Sequence, residues 1–196
     1  LAESGADPSN VVCDDVFTFD CTRFARNYDI LASFGFLEHF RNPAAILSRW
    51  KCVLNENGII VSAIPNLFSI NARLLEKYDI DLWRQHVPYS PEEMDEYHSE
   101  AGLVPIRRAR YFGLYDLHML VPWGKIEKQI ARRLAFRMLK LTASYVVAPP
   151  LRLISKSESR LLSPLVVGVY AVGHSSARLP DEERSQELAS RVRGAS

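Results

Sequence analysis

The chain has 196 residues, of which 47% are hydrophobic and 24% charged, and its formal net charge is +1. This length and composition suit one domain with a sizeable core, and the near-neutral charge gives no case for a nucleic-acid partner. No apolar run reaches about 18 residues and no signal-peptide pattern is present, so we expect no membrane-spanning helix. Cys13, Cys21 and Cys52 are too few and too widely spaced to suggest disulfides or a metal site, which favours a cytoplasmic location.

Three short apolar runs predict the first strands of a sheet. They are "NVVCDDV" at 10–16, "YDILASF" at 28–34 and "GIIVSAI" at 58–64. All three are nearly continuous in apolar character, which is typical of strands covered on both faces of a parallel sheet. The sequence therefore predicts an α/β fold with a mostly parallel sheet.

A helix is predicted between the second and third of these strands. Asn42 is a favourable N-cap, Pro43 suits the first helical position, and Gly58 is placed as the end of the helix. Strand, helix and strand with short links form a βαβ unit, which places the two strands side by side and parallel.

A second helix is predicted further along, before two more strands. Ser90 and Glu93 have the spacing of a capping box, and Gly102 marks the end of the helix. The later strands are predicted at 104–112 and 165–173.

The segment 125–156 differs from the rest of the chain in its charge. It contains eight Lys and Arg residues and one Glu, a charge of +7, within a predicted amphipathic helical insertion at about 123–160. One interpretation is a helical cover over the sheet with a solvated basic face. The other is a peripheral membrane contact, in which the helix rests on anionic lipid. The polar residues 176–196 are predicted to be a disordered tail.

The order of these features resembles the middle of a class I S-adenosylmethionine-dependent methyltransferase of the ubiquinone or small-molecule type. The likeness is carried by a strand ending in Asp14, the strand exit from Asp29 to "LEH" at 37–39, the helix ending "LNENG", and a strand closed by "PN". The segment "HVPYSPEEMDEYHSEAGL" also resembles that family. The resemblance implies a Rossmann-like three-layer sandwich and S-adenosylmethionine as the cofactor.

The glycine-rich first loop of that family and its ribose-binding acidic residue have no counterpart in this chain. We therefore expect residues 1–175 to be the C-terminal portion of a methyltransferase domain that lacks its first strands. Such a fragment is expected to bind S-adenosylmethionine poorly and to be inactive by itself.

The resemblance also implies a set of cofactor-binding residues at the carboxyl ends of the strands. Asp14 would accept a hydrogen bond from the adenine amino group, and the backbone of Asp15 and Val16 would face the adenine edge. Phe34 and Gly35 would pass close to the methionine part of the cofactor. Two apolar residues would flank it, namely Phe36 and Leu37.

His39 and His86 are the candidate catalytic residues, as general bases that take a proton from the acceptor. This role favours O-methylation of a small-molecule or lipid-linked acceptor. Glu38 is expected to be structural. The alternative is a non-catalytic Rossmann-like module that docks to a membrane or partner through the basic helix.

Overall fold

Four strands form one sheet in the computed structural model, which describes residues 13–116, 118–129, 138, 140–154 and 158–173. The strands are β1, Tyr28–Phe34; β2, Leu54–Pro65; β3, Leu103–Phe112; and β4, Leu165–Val172. Their order in the sheet is β1-β2-β4-β3. Strands β1 and β2 pair in parallel, whereas β4 is antiparallel to both β2 and β3.

The α/β class of the prediction is confirmed, and the described part of the sheet is mixed. The parallel pair β1 and β2 is the predicted βαβ unit. The two antiparallel pairings arise because β4 inserts between β2 and β3 after a long connection. Strand direction depends on this long-range insertion, which local apolar patterning does not encode.

The strand predicted at 10–16 is wrong over its described residues, 13–16. Residues from Asp15 to Phe19 form a turn, in which the backbone N–H of Phe19 donates to the Asp15 carbonyl over 2.8 Å. The Asp15 side chain accepts a hydrogen bond from the Phe17 N–H over 2.7 Å. Aspartate favours turns through such bonds, and here that preference outweighs the short apolar run.

Helix α1 spans Ala44–Val53 and ends well before Gly58. The N-cap is Pro43, one residue after the predicted Asn42, whose Oδ1 nevertheless accepts a hydrogen bond from the Ala44 N–H over 3.0 Å. Strand β2 follows at once, so that Gly58 lies inside a strand. A Cβ at Gly58 would lie 2.8 Å from the Cβ of Leu54, so glycine is needed there for close approach of the chain to itself.

The remaining helices connect or cover the strands. They are α2, Ile70–Tyr78; α3, Ile80–Trp83; α4, Pro91–Glu100; α5, Trp123–Gln129; and α6, Ala148–Ile154, which follows a π-helical turn, Ala143–Val147. The predicted capping box of α4 is confirmed, because Ser90 and Glu93 each accept a hydrogen bond from the backbone N–H of the other.

The main hydrophobic core lies between the sheet and helices α1 and α4. Its fully or almost fully buried side chains come from both helices and from three strands. They include Leu47, Ile60, Ile64, Met94, Val166 and Tyr170. This packing fixes the sheet on which the candidate site is built.

A buried polar network also joins α4 to the sheet. The His98 Nδ1 donates to the Met94 carbonyl over 2.7 Å, and the His98 Nε2 is 2.8 Å from the Ser62 hydroxyl. The imidazole stacks on the Tyr170 ring at 3.7 Å, and the Tyr170 hydroxyl donates to Asp95 over 2.7 Å. Because a carbonyl only accepts, Nδ1 carries the proton and Nε2 accepts from the Ser62 hydroxyl, which satisfies a neutral imidazole.

The basic segment is described only in part, since residues 130–137, 139 and 155–157 lie outside the described residues. Ile126 is buried in a small apolar cluster with Leu74 and Tyr78 of α2, and Ala148 in another with Tyr115. Among the described residues, no helix is both long and apolar enough to cross a bilayer. The predicted tail, 176–196, also lies outside the described residues.

We predict that acid destabilises the fold through His98. Burial lowers the pKa of His98 to about 4, although its bond to Met94 acts in the opposite direction. The unfolded chain takes up this proton near pH 6.5 and the folded chain does not, so stability is lost as the pH falls from about 6.5 to about 4. The free energy of unfolding should drop by about 3 kcal/mol over that range on account of His98.

Denaturant unfolding at several pH values measures this slope, with the variant His98→Gln as the control that should lose the His98 part of it. An NMR titration of the wild-type chain in which His98 titrates near pH 6.5 would contradict the prediction.

Candidate functional site

The carboxyl ends of β1 and β2 lie side by side and form the edge on which the candidate site stands. Phe34 pairs with Ala63 at this edge, and its side chain is 69% exposed. Gly35 follows with a φ of +62°, and its N–H donates to the Ala63 carbonyl over 2.9 Å. Glycine adopts this left-handed conformation at little cost, so it allows the chain to turn sharply away from the strand.

The residues after Gly35 turn inward as a 3₁₀ helix, Leu37–His39. Leu37 is buried in the main core, and Phe36 packs on the rings of Phe40 and Trp50 with centroid distances of 4.9 Å and 5.6 Å. Of the four cofactor residues predicted here, Phe34 and Gly35 therefore face solvent. Phe36 and Leu37 support the loop from beneath.

The predicted adenine-binding residues occupy the exposed turn that precedes this loop in sequence. The Asp14 Oδ1 accepts from the Asp15 N–H over 2.8 Å, and Val16 is half-buried. The ring of Phe17 meets the ring of Phe40 edge-on at 5.4 Å. This contact brings the turn from Asp15 to Phe19 against the loop that follows β1.

Glu38, His39 and His86 meet beside that loop, although His86 lies 47 positions after His39. One ligand atom from each of the three lies within 4.8 Å of the others. The two imidazole rings are 4.7 Å apart, and the His39 Nε2 is 4.0 Å from the Glu38 Oε1. The structure therefore brings the two predicted catalytic histidines together around a carboxyl group.

The hydrogen bonds of the two imidazoles define their tautomers. The His39 Nδ1 is 3.0 Å from the Gln85 carbonyl oxygen, and the His86 Nδ1 is 2.7 Å from the Leu82 carbonyl oxygen. A carbonyl oxygen only accepts, so each Nδ1 carries the proton. In each neutral ring the Nε2 therefore has the free lone pair, which can accept a proton or bind a metal ion.

Glu38 is the unusual member of this group, because its side chain is almost fully buried. Its Oε2 has no hydrogen-bond partner. Burial raises the pKa of the Glu38 carboxyl, whereas its backbone N–H and the nearby His39 and His86 act to lower it. A buried carboxylate without full hydrogen bonding is costly at neutral pH, unless a positive charge lies beside it.

Asn66, at the end of β2, is structural rather than accessible to a ligand. It is fully buried, and its Nδ2 donates to the carbonyl oxygens of Arg160 and Ser163 over 2.8 Å and 2.7 Å. Its Oδ1 accepts from the Phe68 N–H over 3.0 Å. These bonds close the connection between β2 and the start of β4.

A cavity of about 360 Å³ lies farther along the same edge of the sheet, where β3 ends and β4 begins. Its wall includes Tyr111, Phe112 and Leu114, together with the ion pair between Arg110 and Glu158, whose charged atoms are 2.7 Å apart. The wall is thus about equally polar and apolar, and it opens to solvent.

Sequence reasoning identified both histidines but treated Glu38 as a structural residue and missed the three-residue cluster. The adjacent pair Glu38 and His39 at a strand exit was the only local signal. The third member, His86, reaches the cluster because the Val87 N–H donates to the Glu38 carbonyl over 2.6 Å, a contact that sequence spacing does not reveal.

Solved structures are similar to this chain. One is a chain from the complex between the Haloferax volcanii Trm112 methyltransferase activator and a candidate methyltransferase, at 14% identity and a TM-score of 0.50; the match covers 88% of this chain and 66% of that one. Another is a SAM-dependent methyltransferase from Archaeoglobus fulgidus, at 19% identity and a TM-score of 0.47, with 83% and 67% covered. The chain thus spans about two thirds of the length of these proteins.

No curated protein sequence matches the chain. A family model described as "Methyltransferase domain" matches residues 3–107, which is more than half of the chain. The matched region contains β1, β2 and the whole Glu38, His39 and His86 cluster. The chain therefore belongs to the methyltransferase domain family, for which S-adenosylmethionine is the expected cofactor.

Proposed function

We propose that the protein transfers a methyl group from S-adenosylmethionine to a small-molecule or lipid-linked acceptor, most favourably to an oxygen atom. The observation that carries the proposal is the exposed backbone at Gly35, where β1 ends beside the exposed ring of Phe34. Ligands of open α/β sheets bind outside the carboxyl ends of the strands, and a residue without a Cβ lets a ligand approach the main chain closely.

In this proposal the adenine end of the cofactor lies against the turn at Asp14. The exposed Asp14 carboxylate accepts a hydrogen bond from the adenine amino group, and the backbone of Asp15 and Val16 faces the ring edge. The contact between Phe17 and Phe40 supports this placement, because it holds the turn beside the loop at Gly35. The methionine part then extends along Phe34 and Gly35.

The reaction is a direct transfer. A lone pair of the acceptor oxygen attacks the methyl carbon, the bond between that carbon and the sulfonium sulfur breaks, and S-adenosylhomocysteine leaves as a neutral thioether. The acceptor proton passes to the Nε2 of His39 or His86, whose Nδ1 protons are already held by backbone carbonyl oxygens. The protein contributes mainly alignment and exclusion of water.

We predict that the Asp14→Asn variant of the full-length protein binds S-adenosylhomocysteine at least about tenfold more weakly than the wild type, since it loses a charge-assisted hydrogen bond. Isothermal titration calorimetry measures this affinity. The matched control is Asp81→Asn, which removes an exposed carboxylate on α3 and should leave the affinity unchanged.

If the full-length protein releases no heat with either S-adenosylmethionine or S-adenosylhomocysteine, the enzyme proposal fails and the non-catalytic binding module replaces it. Once cofactor binding is shown, the His39→Asn variant tests the general base. If His39 accepts the proton, this variant should turn over more slowly and with a changed dependence on pH, while its affinity for the cofactor is kept.

A lipid-linked acceptor is favoured by the apolar surface of the helical residues 138, 140–147 and α6. Several large apolar side chains of this segment are exposed, and Tyr145 is the most exposed at 76%. The others are Met138, Leu141, Val146, Val147 and Leu153. Beside basic residues such as Lys140, such a surface suits the interface of an anionic membrane.

We predict that the protein sediments with vesicles that contain anionic lipid and that this binding falls several-fold in the double variant Leu141→Asp and Tyr145→Asp. These changes place charge on the surface that would enter the lipid. The control Ile80→Asp alters an exposed apolar residue on α3 and should bind like the wild type. Binding that is indifferent to anionic lipid, or to charge reversal at Arg132 and Arg133, would refute membrane contact.

A further inference from the structure

The three side chains that meet beside β1 have the composition of a metal site. Glu38 offers a carboxylate, and His39 and His86 each offer an imidazole nitrogen. We propose that Glu38, His39 and His86 bind a divalent transition-metal ion, with Zn²⁺ as the best-suited ion. The binding claim goes beyond methyl transfer and holds or fails independently of it.

The spacing of the donor atoms is near that of a coordination sphere. Two ligands of a tetrahedral zinc ion are separated by about 3.3 Å when each bond is about 2.0–2.1 Å. The His39 Nε2 and the Glu38 Oε1 are 4.0 Å apart, too far for a direct hydrogen bond, and all three donors lie within 4.8 Å of one another. Small rotations of the two imidazoles, which are not fully buried, would close the remaining gap.

The buried carboxyl group of Glu38 points independently to a ligand. Its side chain is only 2% exposed, and its Oε2 has no hydrogen-bond partner. Almost all buried polar atoms in proteins have a partner, and an unpaired one calls for an explanation such as a bound ion. A cation between this carboxyl group and the two histidines would supply the missing interaction.

The surroundings of the two histidines match those of metal ligands. In most metal sites a ligating histidine donates its second ring N–H to a carbonyl or carboxylate, which orients the ring. His39 does so to Gln85 and His86 to Leu82, so both Nε2 lone pairs remain available. The hydrogen bond from the Val87 N–H to the Glu38 carbonyl fixes the two chain segments relative to each other.

The donor set selects among ions. Two imidazoles and one carboxylate favour Zn²⁺ and neighbouring transition metals, whereas Mg²⁺ and Ca²⁺ prefer oxygen ligands. Three protein ligands also leave at least one position open for water or another oxygen ligand. A bound ion would occupy the Nε2 lone pairs that a general base uses. Each histidine can therefore act either as a metal ligand or as a general base, but not as both at once.

The test is calorimetric titration of Zn²⁺ into the chelator-treated full-length protein, with thermal unfolding measured in parallel. We expect one ion per chain and a rise in the melting temperature on binding. The variants Glu38→Gln and His86→Gln should each weaken binding at least tenfold. Glu38→Gln keeps the shape of the side chain and removes its charge, so its melting temperature without Zn²⁺ should equal or exceed that of the wild type.

Two control variants separate this site from other zinc-binding groups. His118→Gln removes a histidine outside the cluster, and Cys21→Ser removes a thiol that lies beside Cys52. Both should bind Zn²⁺ like the wild type. The proposal is overturned if the wild type binds no Zn²⁺, if Glu38→Gln binds it as tightly as the wild type, or if the Cys21→Ser variant loses binding. Cofactor affinity, measured separately, shows whether the methyl-transfer proposal stands.

Discussion

The hydrogen-bonded network around His98 and Asp95 holds helix α4 on the sheet, and the candidate site depends on it. His98 reaches Ser62 of β2 and stacks on Tyr170 of β4. The Asp95 carboxylate accepts hydrogen bonds from the Tyr170 hydroxyl and from the Ala109 N–H of β3, over 2.7 Å and 2.8 Å. One turn of one helix is thus tied to three strands. Such buried polar groups are costly when unpaired, so the network tolerates few other positions of α4.

The position of α4 in turn determines where the preceding segment, from His86 to Tyr89, lies. Tyr89, just before the helix, is buried, and its hydroxyl donates to the Phe40 carbonyl. Two residues earlier, the main chain of Val87 bonds to Glu38. These two bonds fasten the segment to the loop after β1 and bring His86 to Glu38. The site is therefore assembled by backbone and tyrosine hydrogen bonds, while its own three side chains make no hydrogen bonds to one another.

Helix ends could be predicted from the sequence where they depend on residues close together in the chain. The capping box of Ser90 and Glu93 concerns neighbouring residues and was found where expected, and the start of α1 differs from the prediction by one residue. Gly58 misled the prediction because a glycine can end a helix or permit a close approach, and the choice depends on Leu54.

The strand order of the sheet and the composition of the site also depend on residues that are distant in sequence. The antiparallel place of β4 and the meeting of Glu38 with His86 arise from contacts between distant parts of the chain, which periodicity and spacing do not report. The end of β1 was predictable because its apolar run stops at Gly35, although the strand itself is largely exposed and not covered on both faces as expected. Which polar groups gather there was only half predictable, since the two histidines were named but their shared carboxyl partner was not.

Strand β1 is bonded on one side only among the described strands, and this has a consequence for the behaviour of the chain. In the described part of the chain no strand pairs with its second edge, and the side chains of Tyr28 and Ile30 on this strand are exposed. An apolar strand edge of this kind is a template for pairing with another strand. A strand of another chain that paired along this edge would end beside Gly35, so it would compete with a ligand for that position.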